Sequence, residues 1–212
     1  MTGRIPVLDV QPVVSCGDAP ATSVVGEEFE VSATVFREGH DAVRATAVLV
    51  GPEGDRRVTV AMRPGAPGTD RWHATVAADE MGEWSIVVEG WGDPFGTWRH
   101  AAEIKVPAGM DVELVMAEGA QILTRARDGV PASLAGERQV LEQAIAGVRD
   151  DSRPDDVRLA SALAPDVVAV LERFPVRDLV TPAGPYPLAV SYTHLTLPTI
   201  PFECRSRWSP YH

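Results

Sequence analysis

Cysteine occurs only twice in 212 residues, as Cys16 and Cys204. The two are far apart and lack the paired spacing of a metal site or a disulfide framework, so a reducing cytoplasm is the expected location. No apolar run approaches the roughly 18–20 residues that span a bilayer, and the opening Met1-Thr2-Gly3-Arg4-Ile5-Pro6 holds no stretch of signal-peptide length. Neither a membrane nor export is therefore expected. Basic residues are scarce: 19 Lys and Arg stand against 30 Asp and Glu, a net charge of −11. Such a surface repels phosphate backbones and no dense basic cluster offsets it, which excludes nucleic acid as a partner. No Walker loop, dinucleotide glycine motif, His-Glu-x-x-His or cysteine quartet is present, so no cofactor and no metal is expected.

What is present is a globular composition, 45% hydrophobic and 23% charged. From Ile5 to Val106 the pattern is that of β-structure. Phe29, Val31, Ala33 and Val35 alternate with Glu28, Glu30, Ser32 and Thr34, the period of a half-buried strand. Similar runs follow at residues 43–50, 57–62, 71–77, 83–89 and 97–106. Turn formers separate them: Gly51-Pro52-Glu53-Gly54, Arg63-Pro64-Gly65-Ala66-Pro67-Gly68 and Gly92-Asp93-Pro94. Six or seven short strands with no helical pattern between them predict an antiparallel β-sandwich of immunoglobulin-like type, without the usual cysteine pair.

At Pro107-Ala108-Gly109 the period changes. Val112, Val115, Met116, Gly119, Ile122, Leu123 and Ala126 recur at helical spacing, with acids in the first turn and Arg125 and Arg127 in the last. Further helices are predicted over residues 133–148, 154–163 (with Ser152 as a cap) and 165–174. The expected organisation is a sandwich over 1–107, a small four-helix bundle over 108–175 inserted near the sandwich's end, and a return strand over 176–190. Residues 191–212 fit none of this. Val190-Ser191-Tyr192-Thr193-His194-Leu195-Thr196-Leu197-Pro198-Thr199 resembles a sequencing-library adapter translated in one frame. The tail is therefore expected to be non-native, as a cloning scar would be.

Candidate chemistry is thin. His40-Asp41 beside Arg37 and Glu38 could orient a base, but neighbours on a strand point to opposite faces. A polar turn, with Gly39 supplying positive φ, accounts for the segment better. Cys16 has no glycine-rich elbow or base beside it and is expected to be a small buried residue. Trp72, Trp84, Trp91 and Trp98 fall close together. Trp84 and Trp72 share the inward phase, whereas Trp91 and Trp98 flank Gly92-Asp93-Pro94-Phe95-Gly96, where partial exposure could form a sugar platform. Met116 reads as core. No catalytic residue is identified.

Several segments in register carry a resemblance. They are Gly3-Arg4-Ile5-Pro6-Val7-Leu8-Asp9-Val10, Val24-Val25-Gly26-Glu27, the Phe36-Arg37-Glu38-Gly39-His40-Asp41 segment and Gly68-Thr69-Asp70-Arg71-Trp72. Asp93-Pro94 with Thr97-Trp98-Arg99-His100, Lys105-Val106-Pro107-Ala108-Gly109 and Thr181-Pro182-Ala183-Gly184-Pro185-Tyr186-Pro187-Leu188 continue it. Together they resemble the start of actinobacterial alpha-1,4-glucan:maltose-1-phosphate maltosyltransferases over nearly all of residues 1–189. The resemblance implies a retaining enzyme of the α-amylase superfamily that moves maltosyl units from α-maltose 1-phosphate to α-1,4-glucans. It implies catalytic carboxylates on a (β/α)₈ barrel of about 250 residues, expected to lie beyond Leu188 and so missing here. It also implies a homodimer built partly by the sandwich and bundle. The expected function is that of a non-catalytic N-terminal region, inactive alone. The alternative is a free-standing carbohydrate-binding or adaptor module.

Overall fold

The structure is a computed structural model that describes residues 5–192; of the tail expected over 191–212, Ser191 closes a sheet strand and pairs with Val24, and residues from 193 onward lie outside the described residues. Nine strands form two sheets: β1 (Val7–Gln11), β2 (Ala21–Val24), β3 (Phe29–Val35), β4 (Val43–Val50), β5 (Arg56–Ala61), β6 (Arg63–Pro64), β7 (Arg71–Val76), β8 (Gly82–Gly92) and β9 (Asp178–Ser191). One sheet runs β1-β3-β7-β6 and the other β2-β9-β8-β4-β5. Val31, Ala33 and Val35 of the first sheet meet Ala45, Ala47, Leu49, Trp84, Ile86 and Val88 of the second in one buried cluster. Each valine, leucine or isoleucine among them contributes roughly 1.5–3 kcal/mol on burial. The sheets pack closely at Gly90, where an added Cβ would stand 2.8 Å from both Val35 Cγ1 and Val7 Cγ2.

The expected strand at 97–106 is instead a helix, α1 (Pro94–Lys105). Asp93 caps it by accepting from Gly96 N, and Pro94 stands in the first turn. Phe95, Trp98, Ala102 and Val106 then recur on one helical face and all are buried. Asp93-Pro94 was legible as a turn and is in fact a helix start. With α2 (Val112–Gly129), α3 (Ala135–Arg149), α4 (Asp155–Ala162) and α5 (Pro165–Arg173) there are five helices rather than four. Their shared core begins at Phe95, inside the segment assigned by sequence to the sandwich. Arg158 clasps the layer: its Nε donates to Val148 O at 3.0 Å, and its two Nη atoms donate to the Glu113 carboxylate at 2.6 and 3.1 Å. Ser152 is not the cap of α4, because its hydroxyl donates to Asp150 Oδ1 and Pro154 holds the N-cap position.

The helices leave β8 at its end and rejoin the sheet at β9, and Gly92 is paired with Asp178 across that gap. Strand β9 then lies between β8 and β2, antiparallel to the first and parallel to the second. The sheet is therefore mixed, not purely antiparallel as expected: β9 returns antiparallel beside β8, and its other edge meets β2 in parallel. Pairing to β2 covers only Leu188 to Ser191. Pro182, Pro185 and Pro187 consequently sit where β9 has β8 alone beside it, an edge position that tolerates a missing N–H. Among the described residues there is no (β/α)₈ barrel.

Candidate functional site

Two clefts open where the sheets meet the helices. Asp93 forms the joint: its N–H donates to Ala42 O (2.9 Å) and its Oδ1 accepts from Gly96 N (2.9 Å), while Thr97 Oγ1 accepts from Ala42 N (2.8 Å). These bonds pin the start of α1 to the start of β4. On one side lies a cleft of about 360 Å³ whose lining includes Arg44, Arg63, Trp72, Phe95, Arg99 and Glu172. On the other, a cavity of about 410 Å³ is lined by residues including Arg37, Asp41, Trp98, Gln121, Arg125 and Asp178. Four of its charges are matched, while Glu118 has no ion pair among the described residues. Arg37 pairs with Asp41 at 2.9 Å, and Arg125 bridges to Asp178 across the junction.

On the outer face of the five-stranded sheet, Glu89 is buried between two guanidinium groups. Arg56 Nη1 donates to its Oε1 at 2.8 Å and Arg177 Nη2 to its Oε2 at 2.5 Å. Burial pushes the Glu89 carboxyl up, but the two guanidinium hydrogen bonds outweigh it and hold the group below the usual carboxylate range. Arg44 and Arg177 both stack on the Trp91 ring, at 5.7 and 5.2 Å from its centroid. Trp91 Nε1 donates to Thr46 Oγ1 at 3.0 Å. Glu113 is likewise lowered, first by its hydrogen bond from Arg158.

The sequence candidates fare unevenly. The His40-Asp41 segment is a turn with Gly39 at φ +102°, and Asp41 is engaged by Arg37 rather than by His40. Cys16 is exposed, not buried, in a short 3-10 turn where its own φ is +56°; a local turn, not packing, determines its place. Trp84 and Met116 are buried and Trp72 packs partly against the sheet core, as expected. Trp91 and Trp98 are only 2% and 4% exposed, so neither offers a face to sugar. Trp91 lies beneath the two arginines, and Trp98 lies between α1 and α2 with Nε1 donating to Val115 O at 2.7 Å. The residues that sequence reading missed are Arg44, Arg63 and Arg99. They stand on β4, β6 and α1, and nothing local in the chain relates them.

The fold defines the class: a two-sheet domain with a helical excursion between two of its paired strands. A family model described as alpha-1,4-glucan:maltose-1-phosphate maltosyltransferase, domain N/S, matches residues 3–191. The chain belongs to that maltosyltransferase family. It is 57% identical over 190 residues to alpha-1,4-glucan:maltose-1-phosphate maltosyltransferase 1 of Streptomyces coelicolor, covering 90% of this chain and 28% of that protein. It is 56% identical over 188 residues to maltosyltransferase 2 of the same organism, covering 89% and 28%. The enzyme of Mycobacterium tuberculosis H37Rv is 39% identical over 204 residues, covering 84% and 28%. The chain thus spans under a third of the length of these relatives.

Proposed function

We propose that the chain is the non-catalytic N-terminal region of a maltosyltransferase that transfers maltosyl units from α-maltose 1-phosphate to α-1,4-glucans. The observation that carries this reading is the match over residues 3–191, which corresponds to only 28% of each relative. The retaining chemistry of such an enzyme requires a carboxylate pair across a sugar. Here the most tightly bound carboxylates are consumed structurally: Glu89 by Arg56 and Arg177, Glu113 by Arg158, and Asp93 by the α1 N-terminus. The catalytic groups are assigned to the larger part of the enzyme that this chain does not span.

In this reading the two sheets form an immunoglobulin-like sandwich, residues 94–175 a helical insert, and 176–190 the strand that completes the sandwich. Its role is to pack beside the catalytic domain and to help build a homodimer in the cytoplasm. Exposed Ile104, Met110, Leu114 and Val157 give the helical insert apolar outer surface suited to such contacts. No helix among the described residues is long and apolar enough to cross a membrane. The test is phosphate release from α-maltose 1-phosphate with an α-1,4-glucan acceptor. The purified chain should show none above a no-protein control, and clear turnover would overturn the assignment.

A further inference from the structure

Among the described residues, eleven of fifteen arginines have an ion-pair or backbone-carbonyl partner. Arg37, Arg56, Arg57, Arg125, Arg127, Arg153, Arg158, Arg173 and Arg177 make ion pairs, and Arg71 and Arg138 donate to backbone carbonyls. Four among the described residues have neither kind of partner: Arg44, Arg63, Arg99 and Arg149. Three of these four line the same cleft, the one between β4, β6, β7 and the faces of α1 and α5. They reach it from separate elements, so their convergence is a property of the fold and not of local sequence.

Two carboxylates, Asp93 and Glu172, also line this cleft, so its three guanidinium groups leave an excess of one positive charge. Asp93 is committed to Gly96 N at the cap of α1, and Glu172 makes no ion pair with any of the three arginines. Arg44 is held over Trp91 and is thereby pre-oriented. Trp72, Phe95, Met62 and Leu171 supply apolar wall. The volume, about 360 Å³, falls in the range of small-ligand pockets, roughly 300–1,000 Å³. Unmatched guanidinium groups around an apolar-walled hollow are the recognition chemistry of an oxyanion carried on a compact organic body. An uncharged sugar would use neither their charge nor their donors fully, and a bare ion would leave the apolar wall unused.

We infer that this cleft binds a small phosphate-bearing ligand of about monosaccharide to disaccharide size, with Arg63 and Arg99 as the exposed anion contacts and Arg44 as the preset one. The inference stands apart from the maltosyltransferase assignment, since it concerns binding by this chain alone and needs no turnover. The test is titration calorimetry on the 212-residue chain at low ionic strength, with inorganic phosphate, glucose 1-phosphate and glucose as probes. Expected are one saturable site for both phosphates, glucose 1-phosphate binding at least as tightly as phosphate, and no heat from glucose. Arg63→Gln and Arg99→Gln should each weaken binding at least about tenfold, the scale of one lost charge-assisted contact. Both side chains are exposed and unpaired, so the melting temperature should not move. Arg149→Gln, unpaired but outside the cleft, should bind as the parent does. The inference is overturned by the absence of saturable phosphate binding, by equal affinity in the Arg63 and Arg99 variants, or by glucose binding as well as its phosphate.

Discussion

A chain ending at Val176 should lose its native sheets altogether, although it keeps eight of the nine strands and all five helices. Strand β9 is the bridge of the five-stranded sheet: β2 pairs with nothing else there, and β8 loses one of its two neighbours when β9 goes. Leu188 and Val190 leave the core, and Trp84 and Ile86, which pair with Leu188 and Tyr186 of β9, lose that cover. Losing the two aliphatic side chains removes roughly 1.5–3 kcal/mol each. The vacated space and the stranded backbone groups of β2 and β8 add more. Against a typical total stability of about 5–15 kcal/mol, that loss unfolds the sandwich. The truncated chain should show no cooperative urea transition in near-ultraviolet dichroism for the sheet tryptophans. By contrast, replacing residues 93–177 with a two-residue turn should preserve a cooperative melt, because Gly92 and Asp178 are already hairpin partners. A native midpoint in the truncated chain would show that β9 is dispensable.

Gly119→Ala should be the most damaging single methyl in the helical insert. Helix propensity alone favours alanine by up to about 1 kcal/mol at an interior glycine. Here the new Cβ would stand 2.3 Å from Trp98 Cζ2 and 2.6 Å from Cε2. The indole cannot swing aside cheaply, since its Nε1 donates to Val115 O one turn earlier on the same helix. Overpacking a closed core of this kind costs about 1–3 kcal/mol or more, and a buried ring held by its Nε1 hydrogen bond belongs at the upper end. The net expectation is a loss of about 2 kcal/mol, which for a chain of this length is roughly 4–8 °C in melting temperature. Gly136→Ala supplies the opposite sign. It lies near the start of α3, and an added Cβ there meets nothing within 4 Å, so stability should hold or rise slightly. Scanning calorimetry of the two variants decides the matter. Equal effects would show that α1 and α2 do not pack as closely as Gly119 requires.

Much of the sheet was legible because its signals are local. The alternation of Phe29, Val31, Ala33 and Val35 gives β3 with the observed ends, and the apolar run at 43–50 gives β4 likewise. The helical spacing from Val112 to Ala126 places α2, whose buried side chains are mostly those of the predicted stripe. The error at α1 came from competing punctuation. Gly92-Asp93-Pro94 has the composition of a turn, and the same Asp-Pro pair is an N-cap with proline in the first turn. Trp91 looked exposed for the same reason: its cover comes from Arg44 and Arg177, far away in the chain. Cys16 was read as buried from the habits of free cysteine, yet a positive φ in a three-residue turn keeps it at the surface. The parallel β2–β9 pairing was illegible because it follows from where the helical excursion returns, not from either strand's own pattern. The arginine cleft was hidden for a similar reason, its three cations lying on elements that only the finished fold brings together.

Whether this chain is the non-catalytic front region of a maltosyltransferase is tested most directly by phosphate release from α-maltose 1-phosphate, measured on two proteins side by side. One is the chain alone. The other joins residues 3–191 of this chain to the part of the Streptomyces coelicolor relative that lies beyond its 190-residue match. The chain alone should release no phosphate above background, and the chimera should release it at a rate close to that of the intact relative. Turnover by the chain alone, or a folded chimera without activity, would contradict the assignment.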